Sequence, residues 1–240
     1  MLIALEVDLA VGTLVTAPLV TGGDPPLVVA TALLAIAAAL LALFGAAPAS
    51  AFTVAGNGNV WLSGMPAGTS HLGDSVPDQS PTQYSGPAFS AGDILTFSVT
   101  GGVSFSGGTP STGPDGSASF TYHSGGAVFG ISGARAPING LVAVFLGDDQ
   151  PDGTPAPADL DFVGGLDFTS LSPLLKQVFF IGDGMGTGGV QEFVVPVGAT
   201  RLFMGGMDGL GSIDPEPGAQ EPTFHADWER RVFGLSQAVG

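Results

Sequence analysis

The chain has 240 residues, of which 39 are glycine and 19 are proline, and it carries a net charge of −16 and no cysteine. The length allows one domain with extensions, and the glycine and proline content is typical of short strands joined by turns. The acidic balance disfavours nucleic acid as a partner, because phosphate backbones repel it. The lack of cysteine excludes disulfides, thiol catalysis and zinc–thiolate sites.

The N-terminal segment, residues 1–51, contains an uncharged apolar run at residues 27–47. Ala49-Ser50-Ala51 follows it, with small residues at the positions that a signal peptidase reads, so we expect a secretory signal cleaved after Ala51. The run is also nearly long enough to span a bilayer, and no lysine or arginine precedes it. An uncleaved apolar membrane helix and a buried soluble helix therefore stay open as alternatives.

Residues 52–212 have the pattern of a β-rich domain. Leu95, Phe97 and Val99 alternate with polar residues, which is the period of a strand with one buried face. Residues 140–146 are nearly all apolar, as in a central strand. We therefore expect an all-β fold, a sandwich of two sheets with jelly-roll or Greek-key connections. The predicted core comprises Leu95, Phe97, Val99, Leu141, Val144, Phe179, Phe193, Val195 and Leu202.

The C-terminal segment, residues 213–240, departs from this pattern. Residues 214–222 have the composition of a linker, and no final strand is recognisable after them. Within residues 223–237, helical spacing separates four apolar residues, Phe224, Trp228, Val232 and Leu235. The spacing predicts an amphipathic helix, and a disordered tail is the equal alternative.

Acidic residues recur in turn-like sequences. Asp-Gly dipeptides stand at 115–116, 152–153, 183–184 and 208–209, and they favour turns first and ligand binding second. Asp148, Asp149 and Asp152 form a cluster whose spacing does not match an EF-hand, so a solvated loop is the better interpretation.

Motifs of common enzymes are absent from the sequence. There is no G-x-S-x-G nucleophile elbow, no glycine-rich phosphate loop with a lysine, and no metal-binding spacing among His71, His123 and His225. Nothing singles out a pair of carboxylates for glycoside hydrolysis. The residues therefore predict a protein that is not an enzyme.

Several stretches, taken in order, resemble one family. "SAGDILTFSVTGGVSF", "GPDG", "INGLVAVFLG", "QVFFIGDG" and "VPVGATRLFMGGMDG" are similar to the galactose-binding-like jelly roll of the calcium-dependent bacterial galactophilic lectins. They are more similar still to exported homologues among PEP-CTERM (exosortase-sorted) surface proteins. The resemblance covers about residues 53–211. It implies a secreted β-sandwich in which a calcium ion also helps to hold sugar hydroxyls.

The resemblance also implies a site. The calcium ligands would be carbonyls of Phe89 and Ser212 and side chains of Asp208 and Asp214, and the sugar would contact Phe89, His123 and Asp208. Alternatively, His123 is a solvent-exposed histidine in a loop. Because the family places asparagines where this chain has Asp214 and Pro215, we expect Ca²⁺ to bind weakly.

These patterns lead to one interpretation and two alternatives. The leading interpretation is an exported, non-enzymatic, lectin-like module of the cell surface or extracellular matrix that binds carbohydrate, such as exopolysaccharide, or calcium. A structural surface or biofilm protein with a degenerate site is the first alternative, and a glycosidase is the second. The membrane would be a partner only through an uncleaved N-terminal segment.

Overall fold

The structure is a computed structural model. It describes residues 50–104, 111–123, 125–207 and 223–231, with the backbone alone at residues 50, 51 and 223–231. All of these lie in one compact unit, Ala46–Gly240. The predicted apolar leader at residues 27–47 lies outside the described residues.

Short strands dominate the described chain. In chain order they are β1 (Ser50–Ala55), β2 (Ser70–His71), β3 (Asp74–Ser75), β4 (Thr82–Gln83), β5 (Ile94–Gly101), β6 (Phe120–Tyr122), β7 (Ala134–Pro137) and β8 (Leu141–Leu146). They continue as β9 (Leu160–Asp161), β10 (Ser170–Leu171), β11 (Val178–Phe180), β12 (Met185–Gly186), β13 (Gly189–Val190), β14 (Glu192–Val194), β15 (Arg201–Gly206) and β16 (Thr223–Arg231). The described helical structure is limited to two 3₁₀ turns, Val60–Leu62 and Pro151–Gly153.

The strands form two larger sheets and three small ones. The five-stranded sheet has the order β1-β16-β5-β14-β10, and the four-stranded sheet has the order β11-β8-β15-β4. A three-stranded sheet, β6-β7-β9, and the hairpins β2-β3 and β12-β13 lie beside them. Pairing is antiparallel except between β10 and β14 and between β7 and β9. The expectation of an all-β fold is thereby confirmed.

Aromatic rings from both larger sheets meet in one core. Phe145 of β8 stacks on Phe179 of β11 with ring centroids 5.3 Å apart. Phe179 contacts Phe193 of β14 at 5.5 Å, and Phe193 contacts Phe97 of β5 at 5.4 Å. Such ring pairs add to the free energy gained by burying their area. The two larger sheets therefore share one apolar interior, as in a sandwich.

The predicted core residues are all buried. Leu95, Phe97, Val99, Leu141, Val144, Phe179, Phe193, Val195 and Leu202 are each at most 5% exposed. Every residue of β8 is buried, as its continuous apolar run predicted. In β5 the alternation holds at Ser98 and Thr100, which are exposed, whereas Thr96 is buried.

The prediction for the C-terminal segment is wrong over its central part. Residues 223–231 form neither a helix nor a tail but the nine-residue strand β16. This strand lies between β1 and β5, and its register places Trp228 opposite Phe97 and Ala226 opposite Val99. Phe224, Ala226 and Trp228 also alternate at period two, and the open side of β5 favours that period over the helical one. The domain therefore extends past its predicted end at residue 212.

Across the described residues, no helix has both the length and the apolar character needed to cross a membrane.

Candidate functional site at one end of the four-stranded sheet

The topology of the four-stranded sheet brings three chain segments together at one end of its strands. Because β8 is antiparallel to both β11 and β15, its first two residues lie beside their last residues: Leu141 pairs with Gly206, and Val142 pairs with Phe180. The Gly182 N–H donates to the Leu141 carbonyl at 3.2 Å, and the Met207 N–H donates to the Gly140 carbonyl at 2.7 Å. The Asn139 N–H donates to the Met207 carbonyl at 2.9 Å. Residues distant in sequence are thus fixed side by side.

Two Asp-Gly turns meet at this end of the sheet. The Asp183 N–H donates to Asp115 Oδ1 at 2.8 Å, and Asp183 Oδ1 accepts from the Met185 N–H at 2.7 Å. The following glycines, Gly116 and Gly184, have φ of 74° and 82°. We call Asp115, Asp183 and the neighbouring Asn139 the sheet-end site.

Glycine is required where the two turns approach the sheet. A Cβ on Gly116 would lie 2.6 Å from the Gly140 nitrogen, which is closer than side chains can approach backbone. A Cβ on Gly182 would lie 2.3 Å from Asp115 Oδ1. Both residues also have positive φ, which glycine adopts without strain. The positions of the aspartates therefore depend on these glycines.

The electrostatics of the site disfavour two free negative charges. The pKa of Asp115 is raised, first by burial and further by the negative charge of Asp183, while the hydrogen bond from the Asp183 N–H opposes the rise. A cation between the two carboxylates would remove this penalty, because it favours the ionised form of both.

Asn139 adds an unsatisfied oxygen. Its side chain is 2% exposed, and its Oδ1 is buried without a hydrogen-bond donor. Its backbone φ is 65°, a conformation that asparagine tolerates better than most residues. A buried acceptor without a donor costs about 1–3 kcal/mol, and a bound water or cation would remove this cost. Amide oxygens are among the ligands that calcium prefers.

The described part of the chain does not complete a metal site by itself. No group of three or more His, Asp or Glu side chains within it could hold a metal ion. The side chains of the sheet-end site carry two carboxylates and one amide, whereas calcium takes six to eight oxygens. Further oxygens would have to come from water, from a ligand or from other residues.

Among the predicted calcium ligands, Asp208, Ser212 and Asp214 lie outside the described residues. Phe89 is described, and its ring packs 5.8 Å from that of Phe145, the residue that pairs with Leu202 in β15. Met207, which precedes Asp208 in the sequence, lies five residues further along, or roughly 16 Å at about 3.3 Å per residue. The ring of Phe89 therefore packs away from the sheet-end site.

His123 is not the exposed loop histidine that its position indicated. It is 2% exposed, and its ring stacks on Trp61 with centroids 3.6 Å apart and planes 6° from parallel. The ring of His71 lies 5.8 Å away. Trp61 is itself buried and donates from Nε1 to the Ser132 carbonyl at 2.9 Å. The structure thus places His123 in an interior aromatic cluster, away from solvent.

The acidic loop of Asp148, Asp149 and Asp152 is solvated, as its spacing indicated. Two basic side chains hold it through main-chain oxygens. Lys176 Nζ donates to the Thr154 carbonyl at 2.8 Å, and Arg201 Nε donates to the Gly147 carbonyl at 2.7 Å. The three carboxylates are left exposed, and Asp148 accepts from the Thr200 hydroxyl at 2.7 Å.

Two cavities adjoin this loop. One, of about 530 Å³, is lined by Leu146–Pro151 together with Gly153, Thr154, Leu175, Lys176 and Gly198. The other, of about 710 Å³, is mainly apolar and is lined by residues of three segments, 155–157, 172–176 and 194–197, and by Gly92. Both lie towards the Lys176 end of β8, whose Phe145 carbonyl accepts from the Lys176 N–H at 2.8 Å. They are therefore separate from the sheet-end site at the Leu141 end.

The sequence interpretation missed the sheet-end site. The sequence features that form this site are the Asp-Gly dipeptides at 115–116 and 183–184 and Asn139-Gly140, which precedes the apolar run of β8. Taken alone, each of these dipeptides predicts only a turn. Only the sheet register reveals that the three turns converge.

Comparison with known proteins gives one likeness. Residues 199–240 match a family model described as the N-terminal part of the nitrile hydratase beta subunit. No curated protein matches the chain, and no solved structure matches it. The matched segment includes β15 and β16, which lie in the two larger sheets.

The match overturns the prediction that the protein is not an enzyme, because the matched model belongs to an enzyme family. The prediction rested on missing nucleophile and phosphate-loop motifs. It also treated residues 213–240 as a linker followed by an amphipathic helix or a disordered tail.

Proposed function

We propose that this chain is an exported, lectin-like module that binds carbohydrate together with calcium at the cell surface or in the extracellular matrix. The all-β architecture and the resemblance of about residues 53–211 to calcium-dependent galactophilic lectins support a jelly-roll sandwich. The observation that carries the proposal is the hydrogen bond that holds Asp183 against Asp115 at one sheet end, next to the turn that carries the buried Asn139.

Calcium suits this arrangement for chemical reasons. It binds hard oxygen ligands in flexible geometry and accepts water for those that the protein does not supply. Two adjacent carboxylates give a negative field, and a sugar can add vicinal hydroxyl oxygens. Because the described residues offer few ligands, binding is weak, and a polysaccharide such as exopolysaccharide would compensate by offering many sugar units.

A glycan array with and without millimolar calcium tests this proposal. We expect binding to galactosides or to acidic polysaccharide that requires calcium and is lost in Asp115→Asn. Asp161→Asn is the matched control, because this exposed aspartate is not part of the sheet-end site; it accepts from the Val163 N–H at 2.9 Å and pairs with Arg135 at 3.7 Å. Binding that is unchanged in Asp115→Asn would place the site elsewhere. Absence of any glycan and calcium binding would favour a structural surface protein with a degenerate site.

The comparison favours a second candidate. In this second candidate function, residues 199–240 correspond to the N-terminal region of a nitrile hydratase beta subunit. The chain would then contribute to the hydration of a nitrile to an amide. Incubation of the full chain with a small aliphatic nitrile, followed by NMR detection of the amide, tests this candidate. Amide formation above the buffer background supports it, and its absence leaves the lectin-like proposal unaffected.

A further inference from the structure

The peptide bond between Ala51 and Phe52 lies inside strand β1, and the sequence places a signal-peptidase motif directly before it. We propose that this bond is a processing site that is cut before β16 pairs with β1 and that the completed strand ladder then protects. This inference concerns processing and does not depend on carbohydrate or calcium binding.

The described side-chain contacts of the domain begin on the C-terminal side of this bond. The Phe52 ring packs edge-on against Tyr84 with centroids 5.5 Å apart, and Val54 is fully buried. The Ala55 N–H donates to Thr82 Oγ1 at 3.1 Å. A cut at this bond therefore leaves Phe52–Ala55, the part of β1 with these contacts, in the domain.

The bond is closed to a protease in the folded chain. Ala51 lies opposite Asp227 and Phe52 lies opposite Ala226 in the antiparallel ladder between β1 and β16. Proteins commonly bind an extended peptide through its backbone N–H and C=O groups, and a protease would need those groups free. Among the described strands, β1 lies at the edge of its sheet and pairs with β16 alone, so the pairing of β16 decides whether the bond is available.

The order of events follows from the position of β16 in the chain. Residues 223–231 are the last described strand, whereas the scissile bond precedes almost the whole domain. A chain that is synthesised and exported N-terminus first exposes the bond before β16 is present. In that interval, water adds across the Ala51–Phe52 amide, leaving a carboxylate on Ala51 and an ammonium group on Phe52.

The test uses the folded full chain, purified signal peptidase in detergent, and mass spectrometry of the new N-terminus. Ala226→Pro removes an N–H of β16 and strains the ladder, whereas the matched Ala226→Gly keeps that N–H. We expect the wild type and Ala226→Gly to be cut at least about 100-fold more slowly than Ala226→Pro, because only the locally opened fraction is cut. Equal rates for all three folded proteins would overturn the proposal.

A second variant covers the case in which Ala226→Pro does not fold. Thr53 and His225 are register partners, so their Cα atoms are about 4.5–5.5 Å apart, within the range of a disulfide. The chain has no cysteine, so a pair introduced at these positions forms a single bridge. At a temperature where the wild type is slowly cut, the oxidised pair should resist and reduction should restore cleavage. Equal cleavage of the oxidised and reduced forms would contradict the proposal.

A synthetic peptide covering residues 42–57 tests the site itself. We expect it to be cut between Ala51 and Phe52 at a rate that substitution of Ala51→Asp abolishes, because the enzyme requires a small residue there. A peptide that is not cut, or that is cut at another bond, would overturn the assignment of the site.

Discussion

At the scale of single residues, the function of a side chain follows from what surrounds it. Phe97 and Asp115 illustrate opposite cases. Phe97 is 2% exposed and contacts the Phe193 ring, so its contribution is to packing. Asp115 is partly buried beside Asp183, and burial and the negative charge of Asp183 raise its pKa, so its ionised form is disfavoured in the folded protein.

Truncation of Phe97 measures the first case. Phe97→Ala should lower the free energy of unfolding by about 3–5 kcal/mol, because it removes buried area and leaves a cavity between the sheets. Val197→Ala is the control; Val197 is 86% exposed, and its truncation should change stability by less than about 0.5 kcal/mol. Urea denaturation of both variants gives the comparison, and a loss below about 1 kcal/mol for Phe97→Ala would show that the residue is not in the core.

The pH dependence of stability measures the second case. Because the pKa of Asp115 is higher in the folded protein than its usual value of 3.8, the folded state holds this proton more tightly than the unfolded state. The free energy of unfolding should therefore fall as pH rises from 3.8 through the folded-state pKa. Asp115→Asn should lack this fall and be the more stable protein at neutral pH without calcium. Denaturation curves over this range test the sign, and parallel profiles would contradict it.

At the scale of secondary structure, β16 completes the five-stranded sheet. It pairs with Ile94–Gly101 over the whole length of β5 and with all of β1, whereas β14 pairs with β5 at only two positions. Without β16, most backbone donors and acceptors on one side of β5 would lack partners, and β1 would have no neighbour in its sheet. The strand is therefore an integral part of the domain.

Amide hydrogen exchange tests the assignment of β16. We expect residues 223–231 to exchange as slowly as Ile94–Gly101, since the two strands share one ladder. The hairpin of Met185–Gly186 and Gly189–Val190, with two residues in each strand, is the internal reference for fast exchange. Exchange of residues 223–231 at the rate of an unstructured peptide would restore the interpretation of this segment as a tail.

At the scale of the whole molecule, charge and ligand binding are coupled. The chain carries a net charge of −16, so its electric field attracts divalent cations from a distance. The sheet-end site lies at one end of β8, and the two cavities lie towards the other end. The proposed calcium site and the two cavities are therefore separate.

Calcium should raise the melting temperature modestly. Binding to the folded state alone adds RT ln(1 + [Ca²⁺]/Kd), or about 1.4 kcal/mol at roughly ten times Kd. We expect the rise to disappear in Asp115→Asn and to be reduced in Asp208→Ala, the residue that the family resemblance implies as a ligand. Asp161→Asn should retain the rise. A melting curve that millimolar calcium leaves unchanged in the wild type would refute calcium binding.

The sequence by itself determined the features that depend on local alternation and composition. The alternation of Leu95, Phe97 and Val99 with polar residues predicts a strand with one buried face, because side chains of a strand alternate between its two faces. The absence of polar side chains from Leu141–Leu146 predicts a central strand that is buried on both faces. The tertiary structure alone decided which turns meet. Asp115 and Asp183 are brought together by strand order, which no local pattern encodes. It also decided that residues 223–231 form a strand: their apolar residues fit both periods, and only the neighbouring strands β1 and β5 supply the hydrogen bonds that select one.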